Sequence, residues 1–377
     1  MTILIEQPSV DLKKYPGVCE QAAQECTTGD VHANALKLVH FLIYQGVMYF
    51  DEARYERLVS LYHFFSDNDV YHYLNMDPIR TKDLQEKWAL FKILMDSATF
   101  NPEVKVRIMG DDVADRGAVD LLTLYVLKCL DAANVPTEIM LSNHGLEFLG
   151  CVDRVQLDEF LAETDHEGCQ LSNMNGQIQS IVNFRKLLRA NVITQAEAKA
   201  FVALYRKHLN LVGFNVYPSH KSITLFMHAP SGLKAIRALA YCFDVVYDDK
   251  TLGDLVNTLK AINLGFKKRL LTGELQNDYR NRKLLRSPGP MHERHPIYEV
   301  TWNRAIDDAL ELVNHQNDYY LEYVCGHLGP SHFDKTRFGH LTNLDDTFLG
   351  KGPDMYEGKY LALVYEQGLN RESSVQV

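Results

Sequence analysis

The chain has 377 residues, of which 46% are hydrophobic and 23% are charged, and its net charge at pH 7 is −10. These values are typical of a soluble globular enzyme with a sizeable core, in one large domain or two smaller ones. No run of Lys and Arg reaches five residues, which argues against nucleic-acid binding. An acidic protein that acts on an anionic substrate needs local positive charge, from metal ions or from placed arginines.

The seven cysteines are odd in number and form no CxxC pair, which favours a reducing compartment over a disulfide framework. The N-terminus lacks a basic segment followed by an apolar run, so no signal peptide is expected. No stretch approaches 18 apolar residues, and no membrane insertion is expected. A soluble, cytoplasmic protein is the simplest interpretation.

Strand-like and helix-like segments alternate along the chain, which predicts an α/β fold. Residues Gln21–Thr28 are too polar for a buried central strand, although a strand is expected there. Five later segments have the apolar or alternating pattern of strands. They are Glu103–Met109, Thr137–Leu141, Ser222–His228, Tyr320–Cys325 and Tyr360–Tyr365.

Most of the sequence between these strands has the periodicity of helices. A capping-box sequence at Thr194–Glu197 predicts a helix that runs to about His208. The other helical segments are Asp51–Phe65, Leu84–Leu94, Ala118–Ala133, Thr251–Leu271 and Asn303–Val313. We expect one domain over residues 17–367 with helical insertions near 50–100 and 151–212, an N-terminal extension over 1–16 and a disordered tail over 368–377.

Three short loops contain residues that can bind metal ions or take part in catalysis. They are GDVH at Gly29–His32, GDDVADRG at Gly110–Gly117 and SNH at Ser142–His144. Each follows a predicted or expected strand, and open α/β sheets bind ligands at the carboxyl ends of their strands. Asp, His and Asn are suitable ligands for divalent metals. Each motif alone is weak, but the three in this order favour a metal-dependent enzyme.

The order of these motifs resembles the phosphoprotein phosphatase family of calcineurin-like metallophosphoesterases, whose motifs read GDxHG, GDxVDRG and GNHE. Phe226–Ala229 and Val324–His327 are similar to the family's two later histidine-bearing strand ends, and Trp302–Arg304 is similar to its W-x-N-x-R segment. The resemblance implies a four-layer α/β/β/α sandwich with additional helical insertions. It also implies two divalent ions, manganese first, with iron or zinc as alternatives.

The resemblance implies a role for each matching residue. The first metal would be held by Asp30, His32 and Asp111, and the second by Asp111 as bridge with Asn143, His228 and His327. Arg116 and Arg304 would bind the phosphoryl oxygens. His144 would protonate the leaving oxygen, and Asp115 would orient that imidazole. A hydroxide that bridges the two ions would then attack the phosphorus directly.

Several of these assignments have structural alternatives. A histidine that ends an apolar strand is often a hydrogen-bonded core residue, which applies to His228, and His332 and His340 compete with His327. Arg304 could instead pair with Asp307 or Asp308. The second motif contains one extra residue, so Asp111 and Asp112 compete for the bridging role. Asp111 is favoured because it directly follows Gly110.

Other departures concern substrate preference. The last Gly of GDxHG is Ala33, and Gly145 stands where GNHE has Glu, with Glu147 nearby. The SAPNYC segment of eukaryotic serine/threonine phosphatases is absent. Divergent motifs with helical insertions also resemble the Wip-type phosphatases that intracellular bacteria deliver into host cells, which implies a host-cytoplasmic location.

Three functions are therefore compared. The first is hydrolysis of phosphoserine, phosphothreonine or phosphotyrosine in a phosphoprotein substrate. The second is a bacterial-branch phosphoesterase for dinucleoside polyphosphates or small phosphomonoesters, which the closing segments Asn343–Thr347 and Gly358–Leu361 favour. The third is a catalytically inactive binding module, which the retained motif residues disfavour. The sequence leaves the oligomeric state open.

Overall fold

The computed structural model describes residues 2–19, 23–74, 76–152, 177–280, 295–304, 319–328, 340–345, 349–350, 356–366 and 372–373. Within these ranges strands and helices alternate, which confirms the predicted α/β class. No helix among the described residues is long and apolar enough to cross a membrane.

The larger sheet has six strands in the order β1-β12-β2-β5-β6-β7. Strands β2, β5, β6 and β7 are parallel, and β12 pairs antiparallel with both β1 and β2. Their bounds are Thr2–Asp11 (β1), Ala23–Thr28 (β2), Lys105–Ile108 (β5), Thr137–Met140 (β6), Leu209–Asn210 (β7) and Glu357–Glu366 (β12).

The smaller sheet has five strands in the order β11-β10-β9-β8-β13. Strands β9, β10 and β11 are parallel, whereas β8 is antiparallel to β9 and to β13. Their bounds are Gly213–Tyr217 (β8), Ser222–Phe226 (β9), Tyr320–Cys325 (β10), Leu341–Asn343 (β11) and Glu372–Ser373 (β13). A separate two-stranded ribbon pairs Met48–Tyr49 (β3) with Thr99–Phe100 (β4).

Twelve helices lie within the described ranges. Their bounds are Ala35–Tyr44 (α1), Glu52–Ser66 (α2), Asn68–Tyr73 (α3), Pro78–Asp96 (α4), Asp120–Ala132 (α5), Asn143–Val152 (α6), Gln177–Arg189 (α7), Gln195–His208 (α8), Leu233–Cys242 (α9), Leu252–Thr272 (α10), Glu274–Arg280 (α11) and Pro296–Trp302 (α12). The predicted capping box starts α8, since Thr194 and Glu197 exchange side-chain and backbone hydrogen bonds. Of the predicted helix 303–313, only Asn303 and Arg304 are described, and they follow α12.

The two sheets pack against each other through a shared apolar layer. On β12, Leu361, Leu363 and Tyr365 alternate along the strand and face this layer, as a two-residue period requires. Phe226 of β9 contributes from the other sheet, and the ring of Tyr217 stacks on Tyr365 at 6.3 Å between centroids. This packing brings the ends of strands from both sheets together.

The expectation that 21–28 is too polar for a central strand is wrong, because β2 lies inside the larger sheet and is buried. The carboxylate of Glu25 on β2 is fully buried against the guanidinium of Arg107 and accepts a hydrogen bond from Asn215 of the other sheet at 2.8 Å. Arg107 also donates to Glu138 at 2.9 Å, and Lys105 lies 3.0 Å from the same carboxylate. A buried ion network therefore replaces the apolar contacts expected of a central strand.

Both ends of the chain contribute to the sheets. Thr2–Asp11, which lies in the predicted N-terminal extension, forms the edge strand β1. Glu372–Ser373, in the predicted disordered tail, pairs with β8, and residues 368–371 and 374–377 lie outside the described ranges. The predicted domain limits of 17 and 367 remain predictions.

We expect Arg107→Met to lower the free energy of unfolding by about 3–5 kcal/mol, because removing one partner of a buried ion network leaves carboxylates without sufficient compensation. Denaturant unfolding followed by circular dichroism measures this change. Arg54→Met is the control, because Arg54 pairs with Asp51 at the surface and its loss should change stability by less than about 1 kcal/mol. Equal changes in both variants would contradict a stabilising role for the network.

Candidate functional site

Five loops that follow strands meet at one edge of the two packed sheets. Gly29–His32 follows β2, Gly110–Asp112 follows β5, and Ser142–His144 follows β6. From the smaller sheet, His228 follows β9 and His327 follows β10. Because these are the carboxyl ends of parallel strands, each chain segment leaves its sheet on the same side.

The loops are held in an unusual backbone conformation. His32, Asp111 and His327 have left-handed φ values of 60°, 48° and 64°, which non-glycine residues rarely adopt. Hydrogen bonds fix them: Ala33 N donates to Asp111 O at 2.8 Å, and Gly117 N donates to His32 O at 2.8 Å. Strained backbone of this kind is concentrated at functional sites.

One group of potential ligands consists of Asp30, His32 and Asp111, whose ligand atoms lie within 4.8 Å of one another. All three side chains are buried. Asp30 Oδ1 and Asp111 Oδ1 accept no hydrogen bond from any described residue. Buried carboxylate oxygens without donors are costly unless a cation binds them, so this group fits a divalent metal ion.

A second group, Asp111, His228 and His327, satisfies the same distance limit and shares Asp111 with the first. His228 Nδ1 donates to the Met109 carbonyl at 2.8 Å, so its Nε2 is left as an acceptor. That Nε2 lies 2.8 Å from Asn143 Oδ1, also an acceptor, and 3.4 Å from Asp111 Oδ1. Acceptors this close to one another fit neighbouring ligands of one cation.

His327 has the properties of a metal ligand. Burial, and then the neighbouring His228 and Arg304, hold the pKa of His327 well below its usual value, so the imidazole is neutral. Its Nε2 is buried without a hydrogen-bond partner among the described residues. Its backbone N donates to Asp30 Oδ2 at 2.9 Å, which joins the loops of the two sheets.

Asp345 belongs to the site but was missed as a site residue in the sequence. Its Oδ1 lies 3.2 Å from His32 Nε2, and the other imidazole nitrogen, Nδ1, lies 2.8 Å from Asp115 Oδ2. Burial, and then the charge of Asp345, raise the pKa of Asp30 to about 7. Asp345 lies in the segment Asn343–Thr347, which resembles a closing segment of the bacterial branch, and nothing in its sequence indicates contact with His32.

A third group joins Asp111, Asp115 and His144. His144 Nδ1 donates to the Ala114 carbonyl at 2.7 Å, so Nε2 points towards Asp111 Oδ2 at 3.8 Å and Asp115 Oδ1 at 3.9 Å. Burial alone would lower the pKa of His144, but the carboxylates of Asp111, Asp115 and Glu147 raise it to about 9. His144 is therefore protonated at neutral pH and can donate a proton from Nε2.

Asp115 is hydrogen-bonded to His32 and not to His144, the histidine that it was expected to orient. Its Oδ2 accepts from His32 Nδ1 at 2.8 Å, whereas the Ala114 carbonyl fixes the ring of His144. Although burial opposes ionisation, the positive charges of His144, His32 and Arg116 hold the pKa of Asp115 well below its usual range. Asp115 thus orients His32 directly and acts on His144 through its charge.

The two competing aspartates of the second motif lie in different surroundings. Asp111 takes part in all three groups, whereas Asp112 takes part in none of those found among the described residues. Asp112 Oδ1 instead accepts a hydrogen bond from the Tyr205 hydroxyl at 3.1 Å. A Cβ at Gly145 would lie only 2.7 Å from the same hydroxyl, so the position of the family's Glu is occupied by Tyr205.

The two predicted phosphate-binding arginines flank the ligand groups. The Nε of Arg116 lies 3.8 Å from Asp115 Oδ1, and its side chain is 42% exposed. Arg304 is exposed, and its charge acts on His327. Both guanidinium groups are accessible to an anion that approaches the buried carboxylates.

The sequence profile of a family described as WipA-like, phosphatase domain, matches residues 105–351, which is more than half of the chain. The chain belongs to the WipA-like phosphatase domain family. This finding confirms the expected resemblance to Wip-type phosphatases. All predicted site residues except Asp30 and His32 lie within the matched range.

A solved structure agrees with this membership at the level of the fold. The phosphatase domain of the Legionella effector WipB matches with a TM-score of 0.68 and 24% sequence identity, and the match covers 80% of this chain and 98% of that chain. No curated protein matches the sequence. The chain is thus an α/β phosphatase domain of the WipA-like family.

We expect Gly326→Ala to weaken metal binding, because a Cβ at this position would lie 2.0 Å from Asp30 Oδ1 and displace the carboxylate. The affinity for Mn²⁺, measured by isothermal titration calorimetry, should fall by about 10-fold or more, as for other disturbances of metal-ligand orientation. Gly253→Ala is the matched control, since the nearest atom to its Cβ lies 3.7 Å away. An unchanged affinity in Gly326→Ala would exclude Asp30 as a ligand.

Proposed function

We propose that this WipA-like domain is a metal-dependent phosphoprotein phosphatase that hydrolyses phosphomonoesters with two divalent ions. The observation that supports this proposal most directly is the pair of adjacent ligand groups that share Asp111. A single carboxylate common to two sites is the arrangement by which two ions act together on one phosphoryl group. The position of His228 Nε2, close to Asn143 Oδ1 and Asp111 Oδ1, supports the assignment of His228 as a ligand over the alternative of a core residue.

The first ion would be held by Asp30, His32 and Asp111, and the second by Asp111, Asn143, His228 and His327. Manganese is the expected metal, with iron or zinc as alternatives, because imidazole and carboxylate ligands accept all three. The chemistry that such a pair of ions supplies when bound is activation of a water molecule for attack and neutralisation of phosphoryl charge.

The residues of the chain perform the remaining steps. Arg116 and Arg304 would bind two phosphoryl oxygens and orient the ester for in-line displacement. His144, protonated through its carboxylate neighbours and oriented by the Ala114 carbonyl, would transfer its Nε2 proton to the leaving alkoxide or phenoxide. Asp115 would orient His32 through its hydrogen bond and stabilise the charged form of His144.

We infer that the helices cover the outer faces of the two packed sheets and complete a four-layer α/β/β/α sandwich. Buried side chains on α1 and α5 and on the outer face of β12, such as Leu38, Leu124 and Val364, support this arrangement, since they join one apolar cluster. The sandwich brings the carboxyl ends of strands from both sheets to one edge. Ligands from two sheets can then bind one pair of ions.

A protein substrate is the proposed class, with phosphoserine, phosphothreonine or phosphotyrosine as the reacting group. The WipB domain, similar in fold, is described as part of a Legionella effector, and an effector role would place this chain in a host cytoplasm. The exposure of Arg116 and Arg304 supports a macromolecular substrate, because phosphate on a protein surface must reach them from solvent.

Turnover of defined substrates tests this proposal. Protein reconstituted with Mn²⁺ should release phosphate from phosphoserine or phosphotyrosine peptides, and a chelator should abolish the activity. Diadenosine tetraphosphate should be a poor substrate. Preference for diadenosine tetraphosphate would instead support the bacterial-branch phosphoesterase, and Mn²⁺ binding without turnover of any substrate would support a binding module.

The choice between the two aspartates is tested by Asp111→Asn and Asp112→Asn. We expect Asp111→Asn to reduce kcat/KM by at least about 100-fold, since even outer neighbours of metal ligands contribute roughly 10–100-fold. Asp112→Asn keeps an acceptor for the Tyr205 hydroxyl and should lose less than about 10-fold. Bound metal per chain, measured by mass spectrometry, should fall only in Asp111→Asn. The reverse pattern would assign the bridge to Asp112.

A further inference from the structure

A cavity of about 570 Å³ lies at the opposite edge of the larger sheet from the metal ligands. Thr137, the first residue of β6, lines this cavity, whereas the Ser142–His144 loop follows the last residue of the same strand. The cavity walls come from the end of α8, from α10 and from the segment before β6. Its volume is in the range of pockets that hold small organic ligands.

One wall of the cavity is positively charged. It carries Arg206 and Lys207 from the end of α8 and Lys267 from α10. Asp131, the carboxylate in the lining, lies 2.5 Å from Lys207 Nζ and 3.1 Å from His208 Nε2. The negative charge of Asp131 is therefore already matched by Lys207.

Lys267 is in direct contact with no acidic side chain among the described residues. It makes no hydrogen bond or ion pair with any residue in the described ranges, and burial lowers its pKa. Glu138 acts on Lys267 in the opposite sense, but the Glu138 carboxylate is already in contact with Lys105 Nζ at 3.0 Å and Arg107 Nε at 2.9 Å. Asn210 donates to the same carboxylate at 2.8 Å. A half-buried ammonium group in this position would be stabilised by an anionic ligand.

The rest of the cavity wall is apolar. Val135 and Pro136 line it from the segment before β6, and Leu270 and Leu271 line it from α10. Leu271 is 73% exposed, so this apolar wall reaches the solvent. A ligand that fills the cavity would thus combine an anionic group with a flat or apolar portion.

We propose that this cavity is a second binding site for a small organic phosphate of about the size of a nucleoside monophosphate. Its phosphate would contact Lys267 and Arg206, whose two positive charges match the charge of roughly −2 on a phosphate monoester. Its organic portion would pack on Val135, Pro136 and Leu270. This site is separate from the proposed catalytic site and does not depend on the proposed phosphatase activity.

Binding of adenosine monophosphate to the full chain, with metals removed by a chelator, tests the proposal by isothermal titration calorimetry. Lys267→Met should weaken binding by about 10-fold or more, because a hydrogen bond from a charged group contributes about that factor. Lys268→Met is the matched control, since Lys268 is the next residue of α10, is exposed and does not line the cavity. It should leave the affinity unchanged.

Two further comparisons separate this site from the catalytic one. Arg116→Met should leave the binding of adenosine monophosphate unchanged, and adenosine and inorganic phosphate should each bind more weakly than the nucleotide. Thermal unfolding of Lys267→Met checks that the variant is folded. Loss of binding in Arg116→Met but not in Lys267→Met, equal binding of adenosine, or no binding at millimolar concentration would overturn the proposal.

Discussion

The carboxylate of Asp111 is the position on which the arrangement of the other site residues depends. In each of the three ligand groups, an oxygen of Asp111 lies within 4.8 Å of the ligand atoms of the other two residues. Asp30 and Asp115 are also buried nearby, and like charges this close repel one another in a poorly solvated environment. Burial, and then the charges of Asp345 and Asp111, raise the pKa of Asp30. Cations stabilise such a cluster in its ionised form, so the same feature that costs stability also suits the cluster for binding a metal ion.

The packing of the two sheets determines whether the second ligand group forms. His228 and His327 come from the smaller sheet, while Asp111 and Asn143 come from the larger one. Glu25, Arg107 and Asn215 form polar contacts directly between the sheets, and Arg107 also lies 3.7 Å from the ring of Phe226. Directional contacts of this kind favour one alignment of two sheets over others, whereas apolar contacts alone are less selective.

Local sequence patterns predict the strands and the loops that follow them well, because strand periodicity and motif spacing are short-range properties. The strand Tyr320–Cys325 has the predicted bounds. The helix capped by Thr194 starts where the capping box predicts. The predictions that differed depend on contacts between distant residues. The sequence of β2 is too polar for a central strand unless Glu25 is paired with Arg107, which comes from another strand. Asp345 lies next to His32, although the two residues are 313 positions apart in the chain. Similarly, the partner of Asp115 is decided by which imidazole the fold brings closer.

Two departures from the phosphatase motifs lie next to the same side chain. The Tyr205 hydroxyl, on α8, donates to Asp112 in the second motif, which is one residue longer than GDxVDRG. The same hydroxyl occupies the space that a side chain at Gly145 would need. Asp112 and Gly145 therefore both lie against a single tyrosine, which comes from the predicted 151–212 insertion. Asp111 and His144 keep their neighbours in spite of both changes, and Glu147, one turn further along α6, supplies a carboxylate 3.8 Å from His144. The departures from the motifs thus concern contacts around the site, whereas Asp111 and His144 remain close to each other.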